Sequence, residues 1–259
     1  MDLSLEGRTA VVTGASRGIG LAVVQALAAQ GARVFAGARS ASAGLEALAG
    51  DGRVRSVQVD LGTPDGPARL AAAVDGPVDI LVNNVGSAPT RPGGFTSITD
   101  EQWAETFALN FTSAVRMTRA VLPGMLEQGS GAIVNVGSVN AELPDPMVLD
   151  YSAAKAALHS FAKGLSKEVG PRGIRVNTVC PGPVATDLWL GRSGVAESIG
   201  GATGATAEEV AKGAAESMLT GRFTRPEEVA DLVVLLAGDV TGNVTGSVFR
   251  IDGGLIPTW

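Results

Sequence analysis

A tyrosine and a lysine four residues apart are the side chains of this sequence best suited to proton transfer. They are Tyr151 and Lys155, and Ser138 lies thirteen residues before the tyrosine. A four-residue spacing on a helix places both side chains on one face. A free phenol has a pKa of about 10, and a nearby ammonium lowers that pKa because it favours the phenolate. The spacing therefore predicts that Tyr151 exchanges a proton near neutral pH, with Ser138 holding a substrate oxygen beside it.

The same Tyr-x-x-x-Lys spacing also occurs on helices whose polar face is merely solvated, so the trio does not decide the function alone. A glycine-rich turn near the N-terminus adds the second indication. The apolar run Arg8–Thr13 is typical of a buried strand, and a helical pattern covers Leu21–Gln30. The turn between them has the spacing Gly-x3-Gly-x-Gly and lacks the Gly-Lys-Ser/Thr ending of a P-loop.

Each glycine of this turn has a physical reason in a strand–turn–helix unit. Gly14 permits a sharp turn, Gly18 lets the backbone approach a pyrophosphate, and Gly20 lets the helix pack closely on the strand. The free N–H groups of the helix N-terminus favour phosphates. An ordinary turn is the alternative. The pattern predicts a dinucleotide site with these residues: Gly14, Ser16, Arg17, Gly18, Ile19 and Gly20.

The end of the second predicted strand, Ala32–Ala38, indicates which nucleotide is preferred. An NAD-selective site places a carboxylate here for the adenosine ribose, whereas this chain has Arg39. Arg39 and Arg17 could bracket a 2′-phosphate, because the guanidinium fork matches phosphate oxygens. Two exposed surface arginines are the alternative. We predict that NADP(H) is preferred and that NAD(H) is possible.

Two further predicted strands end in polar residues. Asp60 and Leu61 follow the third strand and could meet an adenine, while Asn84 and Gly86 follow the fourth strand at the expected floor of the crevice. Asn83 belongs either to that floor or to a clamp between strands. The remaining predicted elements are a helix after Pro64, a helix over Thr99–Gln128, strand Ile133–Ser138, a loop over Val139–Asp150, helix Tyr151–Val169, strand Ile174–Val179, helix Pro226–Ala237 and strand Ser247–Ile251.

The alternation of strands and helices predicts one domain over residues 1–259, a three-layer α/β sandwich with a parallel sheet. Residues 186–222 break the alternation. They contain the glycine cluster 200–204 and two predicted short helices, one around Trp189 and one over Glu208–Leu219. Such an insertion after a strand end predicts a lid over the site.

Composition excludes several classes of partner. A net charge of −6 and a pI near 4.9 argue against nucleic acid or an anionic membrane as the main partner. No apolar run approaches the roughly 18 residues of a membrane span, and residues 1–6 lack the features of a signal peptide. A single cysteine, Cys180, fits a reducing compartment. We expect a cytoplasmic enzyme with a small-molecule substrate.

Taken together, these motifs resemble the short-chain dehydrogenase/reductase family, including its 3-oxoacyl-ACP reductase-like members. The resemblance extends from Gly7 to Gly254, with Val85 where alanine is usual. It implies a single Rossmann-type domain with a seven-stranded parallel sheet, assembled as homotetramers or homodimers. The matching segments are Thr13-Gly14-x3-Gly18-x-Gly20, Asp60, Asn83-Asn-Val-Gly86, Asn110, Ser138, Tyr151-x3-Lys155 and Pro181-Gly182-x3-Thr186.

The resemblance also implies a role for each matching residue. Tyr151 would donate the proton to a carbonyl as hydride is delivered, and Ser138 would hydrogen-bond the substrate oxygen. Lys155 would hold the nicotinamide ribose and lower the Tyr151 pKa. Asn110, poorly suited to the middle of a helix, would hold a water that links Lys155 to solvent. The nicotinamide carboxamide would be gripped by Pro181, Gly182, Val184 and Thr186.

Two other candidate residues receive no catalytic role. His159 is expected to pack or to form a subunit contact because Tyr151 already serves as acid and base, and Cys180 is expected to be a buried small hydrophobe. No cluster has metal-ligand spacing, so we predict no metal.

The expected substrate is a carbonyl compound with an apolar body. Apolar side chains in the loop Val139–Leu149 and around Trp189 favour such a body, although some could instead pack against other subunits. Segment 126–130 lacks the basic residues that would dock an acidic acyl carrier protein, while Arg172 and Arg175 lie nearby. A 3-oxoacyl-thioester reductase, an NAD-dependent alcohol dehydrogenase and a non-catalytic dinucleotide sensor stay open as alternatives.

Overall fold

The structure is a computed structural model that describes residue 3 and residues 5–258 of the 259-residue chain. Within these residues seven strands form one sheet in which all neighbouring pairs are parallel, in the order β3-β2-β1-β4-β5-β6-β7. The prediction of a seven-stranded parallel sheet is confirmed. The strands are β1 Thr9–Thr13, β2 Arg33–Ala38, β3 Val54–Gln58, β4 Ile80–Asn83, β5 Gly131–Val136, β6 Ile174–Pro181 and β7 Val248–Ile251.

Helices cover both faces of this sheet. They are α1 Gly18–Ala29, α2 Ala43–Leu48, α3 Gly66–Ala72, α4 Asp100–Phe107, α5 Ser113–Gln128, α6 Leu149–Val169, α7 Asp187–Leu190, α8 Val195–Thr203, α9 Ala207–Glu216 and α10 Pro226–Ala237. None of the described helices is long and apolar enough to cross a membrane.

Alternation along the central strand divides the core into two halves. Ala10 and Val12 belong to a cluster that includes apolar residues of α1 and α10. Val11 points to the opposite face and joins a cluster with residues of α3, α5 and α6. Because successive side chains of a strand point to opposite faces, β1 is buried on both sides, as its continuous apolar sequence predicts.

The strand order creates a crevice at the carboxyl edge of the sheet. The chain builds β1, β2 and β3 in one direction and then returns to place β4 on the other side of β1. In doubly wound sheets ligands bind at such a reversal, outside the carboxyl ends of the strands. The glycine turn follows β1 and therefore lies at this edge.

Three local expectations were wrong. The helix expected over Thr99–Gln128 is interrupted by a π-helical turn, Ala108–Thr112, with Asn110 at its centre. Helix α2 was not predicted. Residues 186–222 hold three short helices rather than two, because the glycine cluster 200–204 lies within α8 and supplies its left-handed terminus at Gly204.

Candidate active site

A cavity of about 1100 Å³ opens at the carboxyl edge of the sheet. Of the residues predicted to act or to bind nucleotide, Asn110 alone does not border it. Those that border it are Gly14, Ser16, Arg17, Gly18, Ile19, Gly20, Arg39, Asp60, Leu61, Asn84, Gly86, Ser138, Tyr151, Lys155, Pro181, Gly182, Val184 and Thr186. The sheet thus brings residues from six separate strand ends to one cavity.

The glycine turn is packed so closely that it excludes side chains. Gly14 has a φ of +67°, and a Cβ on Gly20 would lie 2.1 Å from the carbonyl oxygen of Gly14. Asn84 holds this turn, because its Nδ2 donates to the carbonyl oxygens of Thr13 at 2.9 Å and Gly14 at 3.1 Å. A space bounded by backbone is thereby preserved at the N-terminus of α1.

The two asparagines after β4 have different tasks. Asn83 is buried, and its Nδ2 donates to Thr118 Oγ1 at 3.2 Å and Asn135 Oδ1 at 3.0 Å. Asn83 therefore links β4 to β5 and α5, whereas Asn84 borders the cavity.

Two positive charges lie at the outer end of the cavity. Arg17 and Arg39 are exposed and border it. Among the described residues, neither guanidinium takes part in an ion pair or a side-chain hydrogen bond. Both are therefore available to an anionic group.

The proton-transfer trio meets at the inner end. Tyr151 lies in the first turn of α6, and Ser138, which follows β5, borders the same cavity and acts to lower the pKa of the Tyr151 hydroxyl. The Ser138 Oγ donates to Asn140 Oδ1 at 3.1 Å. Lys155, one turn further along α6, donates from Nζ to the carbonyl oxygen of Val136 at 2.8 Å. That ammonium nitrogen lies 5.7 Å from the centre of the Tyr151 ring.

The lowering of the Tyr151 pKa by Lys155, expected together with the positive charge of an oxidised nicotinamide ring, stays a prediction. Burial raises the pKa of Tyr151 to about 12, and the hydrogen bond with Ser138 offsets only part of this effect. Burial also lowers the pKa of Lys155 to about 8. The Lys155 ammonium is directed at a backbone carbonyl rather than at the phenol oxygen, so the phenol remains the favoured form.

Asn110 acts on the backbone of a neighbouring loop. Its Nδ2 donates to the carbonyl oxygens of Ser87 and Thr106, both at 3.0 Å, and its Oδ1 accepts from the N–H of Ser87 at 3.1 Å. A Cβ on Gly86 would come within 2.7 Å of that Oδ1. The carboxamide is thus occupied by protein groups, and the water-holding role of Asn110 stays a prediction.

The opposite wall of the cavity is largely apolar. Leu143, Met147, Leu188 and Trp189 border it as the sequence suggested, and Trp189 packs edge-on against Phe223 with ring centres 5.4 Å apart. Sequence reasoning missed further bordering residues in α8, α9 and the C-terminal tail. These residues are Val195, Ile199, Ala214, Ser217 and Leu255. Val195 and Ile199 are four residues apart, and Ala214 and Ser217 are three apart. Each spacing could have indicated that the pair shares one face of a helix.

His159 and Cys180 contact each other outside the cavity. The Cys180 Sγ lies 2.9 Å from His159 Nε2. Burial raises the pKa of the Cys180 thiol to about 12 and lowers the pKa of His159. Within residue 3 and residues 5–258, no group of His, Cys, Asp and Glu side chains could hold a metal ion.

A parallel sheet with a glycine turn after β1 and a cavity at its reversal point defines a Rossmann-type protein. A family model described as short chain dehydrogenase matches residues 8–193. The chain belongs to this family. It is an oxidoreductase of the short-chain dehydrogenase type that acts on the CH–OH/C=O pair.

Similarity to individual proteins extends over the full length. The chain is 36% identical over 259 residues to the 3-oxoacyl-(acyl-carrier-protein) reductase FabG of Vibrio cholerae, covering 98% of this chain and 99% of the relative. It is 37% identical over 261 residues to an acetoacetyl-CoA reductase of Rhizobium meliloti, covering 95% and 98%. The solved L-sorbose reductase of Gluconobacter frateurii, complexed with NADPH and L-sorbose, superimposes with a TM-score of 0.92 at 34% identity, with both chains fully covered.

Proposed function

We propose that the protein reduces a ketone or aldehyde with an apolar body, that NADPH is its preferred reductant and that Tyr151 donates the proton. One observation carries the proposal. Tyr151, Ser138 and Lys155 border one cavity together with a glycine turn, two arginines outside any ion pair of the described residues and an apolar wall.

The nucleotide end fits a phosphate-bearing dinucleotide. The glycine turn borders the cavity at the N-terminus of α1, whose free N–H groups suit a pyrophosphate. Arg17 and Arg39 suit the additional 2′-phosphate of NADPH. The NADPH bound by the similar L-sorbose reductase supports the same choice. When bound, the nucleotide supplies the hydride.

The protein's own groups would manage the oxygen and the proton. Ser138 donates a hydrogen bond to the substrate carbonyl oxygen, and Tyr151 gives its proton to that oxygen as the alkoxide develops. With a pKa near 8, Lys155 is mostly an ammonium at neutral pH and can donate to ribose hydroxyls. Asn110, through the backbone of its π-helical turn, would hold the water that returns a proton to Tyr151.

The raised pKa of Tyr151 favours reduction over alcohol oxidation. A phenol with a pKa of about 12 is protonated at neutral pH and ready to act as an acid. The phenolate needed for oxidation is disfavoured at neutral pH, because burial raises the pKa of Tyr151.

Segment 186–222 is proposed as a lid over the substrate. Its two ends are joined, because Ala185 N–H donates to Thr224 O at 2.9 Å and Thr224 N–H donates to Pro183 O at 3.0 Å. Helices α7, α8 and α9 therefore project from one paired base, and they carry most of the apolar wall. Closure of such a segment excludes water from the reacting groups.

A 3-oxoacyl-thioester reductase is the second candidate, favoured by the activities of the two similar reductases from Vibrio cholerae and Rhizobium meliloti. Of the two arginines considered for docking an acidic carrier protein, Arg175 is engaged by backbone carbonyl oxygens, whereas Arg172 is exposed and makes one long contact. Arg175 donates to the carbonyl oxygens of Leu236 at 2.7 Å and Gly238 at 3.1 Å, and Arg172 donates to Leu126 O at 3.4 Å. The engagement of Arg175 removes one basic group from such docking and in this way favours free carbonyl compounds.

The test is consumption of NADPH, with NADH in parallel, on aldehydes, cyclic and aromatic ketones, quinones, β-ketoesters and a 3-oxoacyl thioester. Turnover on free ketones is expected. Preference for the thioester would establish the second candidate, and cofactor binding without any turnover would indicate a dinucleotide sensor. We also expect a cytoplasmic homotetramer or homodimer, which light scattering checks for the assembly.

A further inference from the structure

Three elements meet at a buried ion pair directly beside Tyr151. Arg91, in the loop after β4, donates from Nε at 3.1 Å and from Nη2 at 2.7 Å to Oδ2 of Asp150 in α6. Thr106 of α4 donates from Oγ1 to the same oxygen at 2.7 Å. The three residues form a cluster that we name the Arg91–Thr106–Asp150 clamp.

The clamp differs from the other ion pairs of the described residues by its burial. The Asp150 side chain is 0% exposed and that of Arg91 13% exposed. Burial opposes ionisation of Asp150, but the hydrogen bonds from Arg91 and Thr106 outweigh it and hold the pKa of the carboxyl below its ordinary value. Desolvation cancels much of the stability gained from a buried pair, so stability alone explains the clamp poorly.

The clamp is connected to both sides of the reacting centre. Asp150 immediately precedes Tyr151 in the first turn of α6. The backbone N–H of Arg91 donates to the carbonyl oxygen of Met147 at 2.7 Å, which fixes part of the substrate wall.

On the nucleotide side, the connection runs through the π-helical turn. Thr106 accepts a hydrogen bond at its carbonyl oxygen from Asn110. The Asn110 carboxamide in turn holds Ser87, the neighbour of Gly86 at the cavity floor.

We propose that the Arg91–Thr106–Asp150 clamp positions Tyr151 relative to the Gly86 loop and the Met147 wall, and so sets the alignment of the proton donor with the substrate carbonyl. None of the three residues borders the cavity, so they are positioning residues rather than catalytic ones. The inference rests on the proposed function, because it concerns the alignment of Tyr151.

The first variant is Asp150→Asn, which keeps the shape and removes the charge. We expect kcat per bound NADPH to fall about 10- to 100-fold, since misplacement of a reacting group by about 1 Å has an effect of this size. The Kd for NADPH, measured by fluorescence titration, should stay within about twofold. Should Asp150→Asn fail to fold, Thr106→Val serves instead, with a fall of about 3- to 10-fold expected from the loss of one hydrogen bond.

The matched control is Asp79→Asn. Asp79 also pairs with an arginine, Arg8 at 3.4 Å, and accepts from the N–H of Thr9 at 2.8 Å. It directly precedes β4, at the opposite edge of the sheet from the cavity. This control should lower the melting temperature and leave kcat per bound NADPH unchanged.

A double variant separates positioning from mere support of the fold. In Arg91→Met with Asp150→Leu, an apolar pair replaces the ion pair, and such replacements often retain stability. We expect a wild-type melting temperature with kcat still low. Recovery of both quantities would overturn the proposal, as would an Asp150→Asn enzyme with kcat within about twofold of wild type.

Full turnover in Tyr151→Phe would overturn the proposed function as well, whereas loss of turnover in Tyr151→Phe without loss in Asp150→Asn would overturn the clamp alone.

Discussion

Replacing Gly20 by alanine tests the glycine turn at a contact whose size the structure gives. The added Cβ would lie 2.1 Å from Gly14 O and 2.5 Å from Asn84 Nδ2. Real Cβ atoms essentially never come closer than 3.0 Å to such atoms, so the turn or the start of α1 must move by about 1 Å. The first obstacle is backbone in a strained turn and cannot rotate away.

The expected magnitude combines two opposing effects. Overpacking costs about 1–3 kcal/mol, while alanine in place of a helical glycine contributes about 0.5–1 kcal/mol. The net loss is up to about 2.5 kcal/mol, which lowers the melting temperature by up to about 10 °C in a chain of this size. Because the displaced backbone is the proposed phosphate site, the Kd for NADPH should rise at least about tenfold.

Gly164→Ala is the matched control. Gly164 lies inside α6, and a Cβ there meets nothing within 4 Å. Its melting temperature should rise by about 1–4 °C with an unchanged Kd. Thermal unfolding by circular dichroism and NADPH fluorescence titration measure both quantities. A Gly20→Ala protein with wild-type melting temperature and Kd would refute the close-packing argument.

Three further predictions concern the two ends of the cavity and its charge. Arg39→Ala should weaken NADPH binding by about 10- to 100-fold with little effect on NADH, because one charge-assisted contact to the 2′-phosphate is lost; an unchanged preference in titrations with both nucleotides would contradict this. In a pH profile, kcat/KM for reduction should fall as pH rises through about 8, because Lys155 loses its proton there while Tyr151, with a pKa of about 12, keeps its proton. A kcat/KM that stays constant up to pH 10 would show that the charge of Lys155 is not needed. Trp189→Ala should raise KM for a bulky apolar ketone about tenfold through lost apolar contact and leave the NADPH Kd unchanged; equal KM values would place the substrate elsewhere.

The fold could be predicted from sequence because its signals are local. Each strand is a short apolar run with its own turn residues, and the glycine spacing after β1 is readable only in a strand–turn–helix unit. Positions at strand ends then follow, since all strands of a parallel sheet point their carboxyl ends to one edge. Ser138 and Arg39 were found in this way, whereas Tyr151 was found from its helical spacing to Lys155.

The sequence does not predict features that depend on contacts between residues far apart in the chain. The pKa of Tyr151 depends on its burial in the folded protein, which four-residue spacing does not reveal. Arg91, Thr106 and Asp150 are far apart in the sequence and share no local pattern. Their contact could therefore not be predicted and is visible only in the tertiary structure. Asn110 was recognised as a poor helix former, yet the π-helical turn that accommodates it also depends on its contacts with Ser87.

The central claim is that Tyr151 donates the proton, and the kcat of Tyr151→Phe tests it most directly. The variant keeps the ring that borders the cavity and loses only the hydroxyl. We predict that NADPH binds with an unchanged Kd while kcat for carbonyl reduction falls at least about a hundredfold, as for loss of a general acid. Near-normal kcat in a folded, NADPH-binding Tyr151→Phe protein would contradict the account.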